Sequence, residues 1–391
     1  MRNLIGAAAV STGNKTGRYN KVDMFHVAGT FDWVKPENLD PDTPITVRVW
    51  GAGGAGGCYS SVGNSFGGGA GGLSIKEISF EDLLATTVMA LGLGAKTHNG
   101  RGGTTSFGTH NSATGGNSGF YNTQNESGGT RPISDIGGSA NYYGQGGIGI
   151  GGDTNRRGGW GGFGSTSPTS GYGGGGASAP HPDGHLDGFH GGRTSSYGGG
   201  GGASIAYNGG QNTISYDGQG GAGTAGPASI GGQQNTYGTS VGGGGTGILG
   251  AGGKGGAISN YSNAMVSIDT AESGQGTLIL EPNYILFGGG GGGGGCMNSQ
   301  SSETGRATAG NGGPGAGGGG AGGKASSTAG GLNHAGNGGM LGGGGGANQY
   351  SYPGHGGNAA GGGGTGYDKG PEYGNGWGGD GLIIIQYNLI Y

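Results

Sequence analysis

Ile45-Thr-Val-Arg-Val-Trp50 runs directly into Gly51-Ala-Gly-Gly-Ala-Gly-Gly57, and this junction decides the fold class. Ile45, Val47 and Val49 share one face of an alternating strand. The run behind it carries nothing larger than a methyl group. The same junction returns at Tyr284-Ile-Leu-Phe287, which enters the eight glycines Gly288 to Gly295. Cys58 follows the first run and Cys296 the second. The first excursion closes at Gly274-Gln-Gly-Thr-Leu-Ile-Leu280 and the second at Gly379-Asp-Gly-Leu-Ile-Ile-Ile385. Each closing strand is opened by a Gly-x-Gly step. This repeat predicts a sheet whose connections are inflated into glycine-rich excursions.

Composition points the same way. Glycine supplies 118 of 391 residues, against a usual share of roughly 7%. Only 30% of the residues are hydrophobic, too few for the large core a chain of this length ordinarily buries. Most enzyme folds are therefore excluded over most of the length. With 12 prolines and no sustained Gly-X-Y period, collagen is excluded as well. Charged residues make up 10%, which is scarce for a disordered chain. A net charge of −4 leaves no basic reservoir for nucleic acid. Two cysteines support neither a disulfide framework nor a zinc site. No apolar run approaches the ~20 residues of a membrane span. Leu4 to Val10, after Arg2, sits at the short limit of a signal peptide and reads instead as a first strand or mounting segment.

Further strands are expected at Thr30–Val34, Ser74–Phe80, Thr86–Leu93, Thr104–Phe107, Ala264–Ile268 and Leu382–Tyr387. No stretch has an apolar period of 3.6 long enough for a helix. The glycine runs need a structure that satisfies their backbone. A three-residue-per-turn extended helix has no internal hydrogen bonds and directs its polar groups sideways. Without Cβ atoms such helices approach closely and bond to each other. The expectation is a mainly β protein: a small jelly-roll-like sandwich with a polyglycine-II helix bundle inserted between its strands, and little or no α-helix. Residues 1–29 form the mounting segment. Residues 30–282 hold the strands and the first glycine-rich region. Residues 283–391 hold the second region and the closing strand, as one unit with the preceding part. A flexible linker is the competing reading, but a linker needs no bracketing strands and no 18 tyrosines.

Val47-Arg-Val-Trp50 with its glycine-alanine run resembles the glycine-rich tail-fibre proteins of tailed bacteriophages. So do Gly68 to Phe80, Thr86 to Gly94, Gly100 to Gly116 and the closing Gly378 to Tyr387. Leu91-Gly-Leu-Gly-Ala95 departs mildly from the step that family carries there. The resemblance covers residues 30–116 and the last ten; 117–373 matches in composition only. A looser likeness is to phage tip adhesins with a polyglycine-II domain, and to the glycine-rich extracellular domain of the anaplastic lymphoma kinase family. The resemblance implies a virion tail component that meets the host surface, present in host cytoplasm during assembly. Its partners would be a host cell-surface glycan or outer-membrane protein and other tail proteins. Both a homotrimer and a single chain on a trimeric shaft stay open.

Motifs for catalysis are artefacts of composition. Gly63-Asn-Ser-Phe-Gly67 and Gly238-Thr-Ser-Val-Gly242 imitate a nucleophile elbow without the strand-to-helix context. Gly318 to Lys324 imitates a phosphate loop, with Ala325 where Ser or Thr must hold magnesium. We expect no enzyme and no cofactor. His181-Pro-Asp183-Gly-His185 reads as a turn-rich loop, with a divalent metal held by those three side chains as the alternative. Recognition is expected to fall to loop aromatics and their neighbours: Trp160, Phe163, Tyr172, His181, His185, Phe189, His190, Arg193, Tyr197, Tyr350, Tyr352 and Tyr373, within segments reaching to Trp377. The competing functions are a structural tail spacer or collar and a secreted glycine-rich matrix protein.

Overall fold

The computed structural model describes residues 18–57, 67–97, 100–119, 144–159, 161, 278–285, 309–313, 317–318, 334–347, 352–364 and 376–391, and the backbone alone of 277, 286–288, 333 and 351. It also describes the backbone of short strands at 64–65, 172–173, 204–207, 246–247, 250–251, 258–261, 264–267 and 295–298. Among the described residues the protein is all β, with no helix.

Two five-stranded antiparallel sheets organise it. One has the order Lys21–Phe25, Leu382–Tyr387, Ile45–Trp50, Leu73–Ile78, Thr154–Arg156. The other runs Gly29–Val34, Thr86–Leu91, Thr105–Phe107, Asn111–Ala113, Gly149–Ile150. Both feed one apolar cluster, in which Ile45, Val47, Val49, Ile383 and Ile385 meet Trp33, Met89, Leu91 and Phe107. Trp33 holds Phe107 edge-on at 5.7 Å.

The first sheet is covered on its other face too. Trp50, Leu73, Leu382 and Ile384 join a second cluster, against which Leu278, Leu280 and Ile285 pack. These belong to a hairpin, Thr277–Glu281 with Tyr284–Gly288. Its turn is tied down by Asn283, which exchanges hydrogen bonds of 2.6 Å with both backbone groups of Tyr19. Burial on both faces explains why Leu382-Ile-Ile-Ile385 reads as an unbroken apolar run rather than an alternating one.

The two strand–glycine–strand units pair crosswise. The opening strand of the first, Ile45–Trp50, pairs with the closing strand of the second, Leu382–Tyr387. The other two strands pair with each other as the hairpin. Lys21–Phe25, inside the segment expected to be a mount, is an edge strand of the first sheet. Its signal was short and interrupted by Lys21 and Asp23, as edge strands commonly are.

Among the described residues, the glycine runs are joined by backbone hydrogen bonds with a three-residue period. Gly51 and Gly54 donate to Gly72 and Gly69; Ala52 and Ala55 donate to Gly103 and Gly100; Gly53 and Gly56 donate to Gly379 and Gly376. Successive residues thus face three different neighbours, and the fourth faces the first again. Carbonyls of the same run accept from Gly116, Gly119, Ala95 and Gly362. The run Gly68–Gly72 behaves alike, donating in turn to Gly362, Asn117, Gly159, Ala359 and Thr114. A Cβ at Gly53 would fall inside the carbonyl of Ala360. Ala52 and Ala55, three apart, are the positions of this run where a methyl fits, and both are fully buried.

Candidate functional site

Residues 334–346 and 352–364 repeat one another eighteen positions apart, the separation of Asn337 and His355. In each, an extended run reaches a tight turn, closed by Gly342 N–H to Gly339 C=O and by Ala360 N–H to Gly357 C=O. The third turn residue, Leu341 or Ala359, has φ of 63° or 60° and is buried in the second apolar cluster. The two copies lie parallel. The amides of Ala335, Gly338, Leu341, Gly344 and Ala347 donate to the carbonyls of Tyr352, His355, Asn358, Gly361 and Gly364. Residues 309–312 flank them on one side, through Ala309 to His334 and Gly312 to Asn337. Residues 377–380 flank them on the other, through Gly356 to Trp377 and Ala359 to Asp380.

With a period of three, one position in three of these runs lies on a common side. The sequence places its side chains there: His334, Asn337 and Met340 in one run, Tyr352, His355 and Asn358 in the next, Trp377 and Asp380 in the third. The intervening positions are mainly glycine and alanine.

The level closest to the sheets is an anchor. Asp380 accepts from the amides of Gly94 (2.9 Å) and Ala28 (3.3 Å), and the Asn358 amide donates to the carbonyl of His26 (2.6 Å). One step outward lies a continuous row. Asn311 Oδ1 accepts from the backbone amide of Asn337, Asn337 Oδ1 from that of His355, and His355 Nδ1 from that of Trp377, at 2.8, 2.8 and 2.9 Å. Each side chain thereby satisfies an amide that bonds to no backbone carbonyl among the described residues. His355 and Trp377 stack at 4.7 Å between ring centroids, and Lys96 Nζ stands 5.9 Å from the Trp377 ring. Burial lowers the His355 pKa below the ordinary imidazole value. At the next step His334 and Tyr352 stack at 4.9 Å, with 11° between their planes. Asn311, Asn337, His334 and Lys96 are exposed, and Trp377 is 44% exposed.

Of the expected recognition residues, the structure brings Tyr352 into this face. Tyr172 lies in a two-residue strand paired with Asn64–Ser65, and only its backbone is described. Trp160, Phe163, His181, Asp183, His185, Phe189, His190, Arg193, Tyr197, Tyr350 and Tyr373 lie outside the described residues, and so does the metal alternative. Asn311, Asn337, His334, His355 and Lys96 were not anticipated. Their signal is the spacing His334-x-x-Asn337 against Tyr352-x-x-His355, which a search for aromatic-rich loops passes over. Among the described residues, no group of three His, Cys, Asp or Glu side chains is placed to hold a metal ion. No protein-family model matches this chain, and a comparison with curated proteins gives no match.

Proposed function

We propose that this chain is a non-enzymatic attachment protein of a bacteriophage tail fibre, binding the host surface through side chains displayed on a rigid glycine lattice. The architecture behind that reading is a jelly-roll-like sandwich clamping a bundle of polyglycine-II helices. The three-residue rotation of hydrogen-bond partners supports the helices, and the apolar cluster shared by two sheets supports the sandwich. The observation that carries the function is the row from Asn311 to Lys96. It is a strip of polar and aromatic groups, exposed but for the half-buried His355, in a lattice made mainly of glycine and alanine. A spacer needs no such strip, and a silk-like matrix protein needs no sandwich to fix it.

The resemblance of residues 30–116 and the closing strand supplies the tail-fibre setting. Other tail proteins and a host glycan or outer-membrane protein are the partners that setting implies. The test is adsorption of the purified chain to a panel of bacterial strains, with and without Tyr352→Ala and Trp377→Ala. Adsorption to some strains by the wild type and its loss in the double variant, with an unchanged melting temperature, is the expected result. A wild-type chain that adsorbs to none, or a double variant that adsorbs equally well, refutes it.

A further inference from the structure

We infer that the row Asn311–Asn337–His355–Trp377–Lys96 is a donor-only strip that selects an acidic polysaccharide, a glycan bearing carboxylate or phosphate groups. This rests on the attachment reading and names its ligand chemistry. A backbone amide can be capped only by an acceptor atom, so the geometry fixes which end of each side chain is spent. Oδ1 of Asn311, Oδ1 of Asn337 and Nδ1 of His355 are all turned onto amides of the next run. What remains of the two asparagines is the Nδ2 amide, a pure donor. In a neutral His355 whose Nδ1 accepts, Nε2 must carry the proton and donate. Among the described residues no protein acceptor takes a bond from these three nitrogens. Lys96 ends the row with a cation. The carboxylate closest along the runs, Asp380, is occupied with the amides of Gly94 and Ala28.

Backbone-bonded neighbours lie about 5 Å apart, so the five side chains extend over about 20 Å. Donors at regular intervals along a line suit a linear polymer with repeated acceptors. Charged acceptors form the stronger bonds with such donors. With one cation and a chain carrying net charge −4, the strip is far from the phosphate density a nucleic acid needs.

Asparagine to aspartate is the discriminating change. Asp at 311 or 337 keeps an oxygen for the neighbouring amide but replaces the outward donor by a carboxylate oxygen. Binding of the full chain is measured to polygalacturonate, to its fully methyl-esterified form and to poly(glycerol phosphate). The wild type should bind an acidic polymer and bind the ester at least tenfold more weakly. The Asn311→Asp, Asn337→Asp double variant should lose at least tenfold towards the acidic polymer at an unchanged melting temperature, and Lys96→Gln should weaken binding further. Preference between the carboxylate and phosphate polymers identifies the acid. Equal binding to acid and ester, no binding to either acidic polymer, or an unaffected double variant overturns the inference. Should the wild type still adsorb to cells in those cases, the attachment reading survives. Should it bind acidic polymer but no cells, that reading falls and this inference stands.

Discussion

Replacing Gly53 by alanine should destabilise the protein, although the same replacement generally helps where backbone conformation allows it. The new Cβ would overlap the carbonyl oxygen of Ala360. That oxygen belongs to a backbone already held on both sides, so the runs must separate. Three bonds depend on their present spacing: Gly53 N–H to Gly379 (2.8 Å), Ala95 N–H to Gly53 (3.1 Å) and Gly379 N–H to Ala360 (3.0 Å). At a net ~1 kcal/mol each, their loss costs about 3 kcal/mol. Reduced freedom of the unfolded chain returns roughly 0.4–1 kcal/mol. A net destabilisation of about 2 kcal/mol remains. Ala52→Gly, next door, should cost about 1–2 kcal/mol, from added unfolded-state entropy and the loss of one buried methyl, with no backbone bond broken. Urea unfolding followed by tryptophan fluorescence reads both, because Trp33 and Trp50 are buried among the described residues. A Gly53→Ala protein as stable as wild type would refute close contact between backbones in this run.

Stability should also fall on mild acidification. The folded protein binds a proton at His355 less readily than the unfolded chain, because burial disfavours the imidazolium and Nδ1 is occupied by the Trp377 amide. The contribution is therefore whole above the unfolded value of about 6.5 and is lost as pH drops through the lowered folded value. Urea midpoints between pH 7.5 and 5 should decline, and less steeply in His355→Gln; equal slopes would remove His355 as the source. Asp380→Ala should cost about 1–3 kcal/mol, because it strips an acceptor from the amides of Gly94 and Ala28; a melting temperature equal to wild type would contradict the anchoring role. Arg18→Ala should change stability by no more than about 1 kcal/mol, despite the two-pronged contact with Glu77 at 2.6 and 2.9 Å, since both side chains are almost half exposed. A larger loss would mean that the pair holds the edge of the sheet.

Strands with a buried face were readable from their residues. Ile45–Trp50 and Leu382–Tyr387 have the bounds that alternation and apolar content predict. Asn111–Ala113, Gly149–Ile150 and Thr154–Arg156 were not readable. Apart from the exposed Ile150 their side chains are small or polar, and ladder bonds to a preformed neighbour define them. The crosswise pairing was hidden for a similar reason: two equivalent opening strands offer the same apolar pattern to either closing strand. In the binding face, Tyr352 and Trp377 drew notice as aromatics. Asn311 and Asn337 did not, because an asparagine among glycines ordinarily signals a turn. Only the three-residue rotation of the lattice brings them into line with His355.

The central place of the last strand has a consequence for how the chain is made. Leu382–Tyr387 lies between Lys21–Phe25 and Ile45–Trp50, and Arg48 meets Gln386 across 338 positions. A ribosome releases the N-terminal strands long before their partner exists. The run Gly51–Gly57 emerges meanwhile without its bonding partners Gly376 and Gly379, and loop closure over so long a separation is slow. The first sheet is therefore completed only when the closing strand arrives. Without Leu382–Tyr387, Lys21–Phe25 and Ile45–Trp50 lose the strand that joins them. Loss of that one strand therefore divides the first sheet at its middle and takes apolar side chains out of both clusters at once.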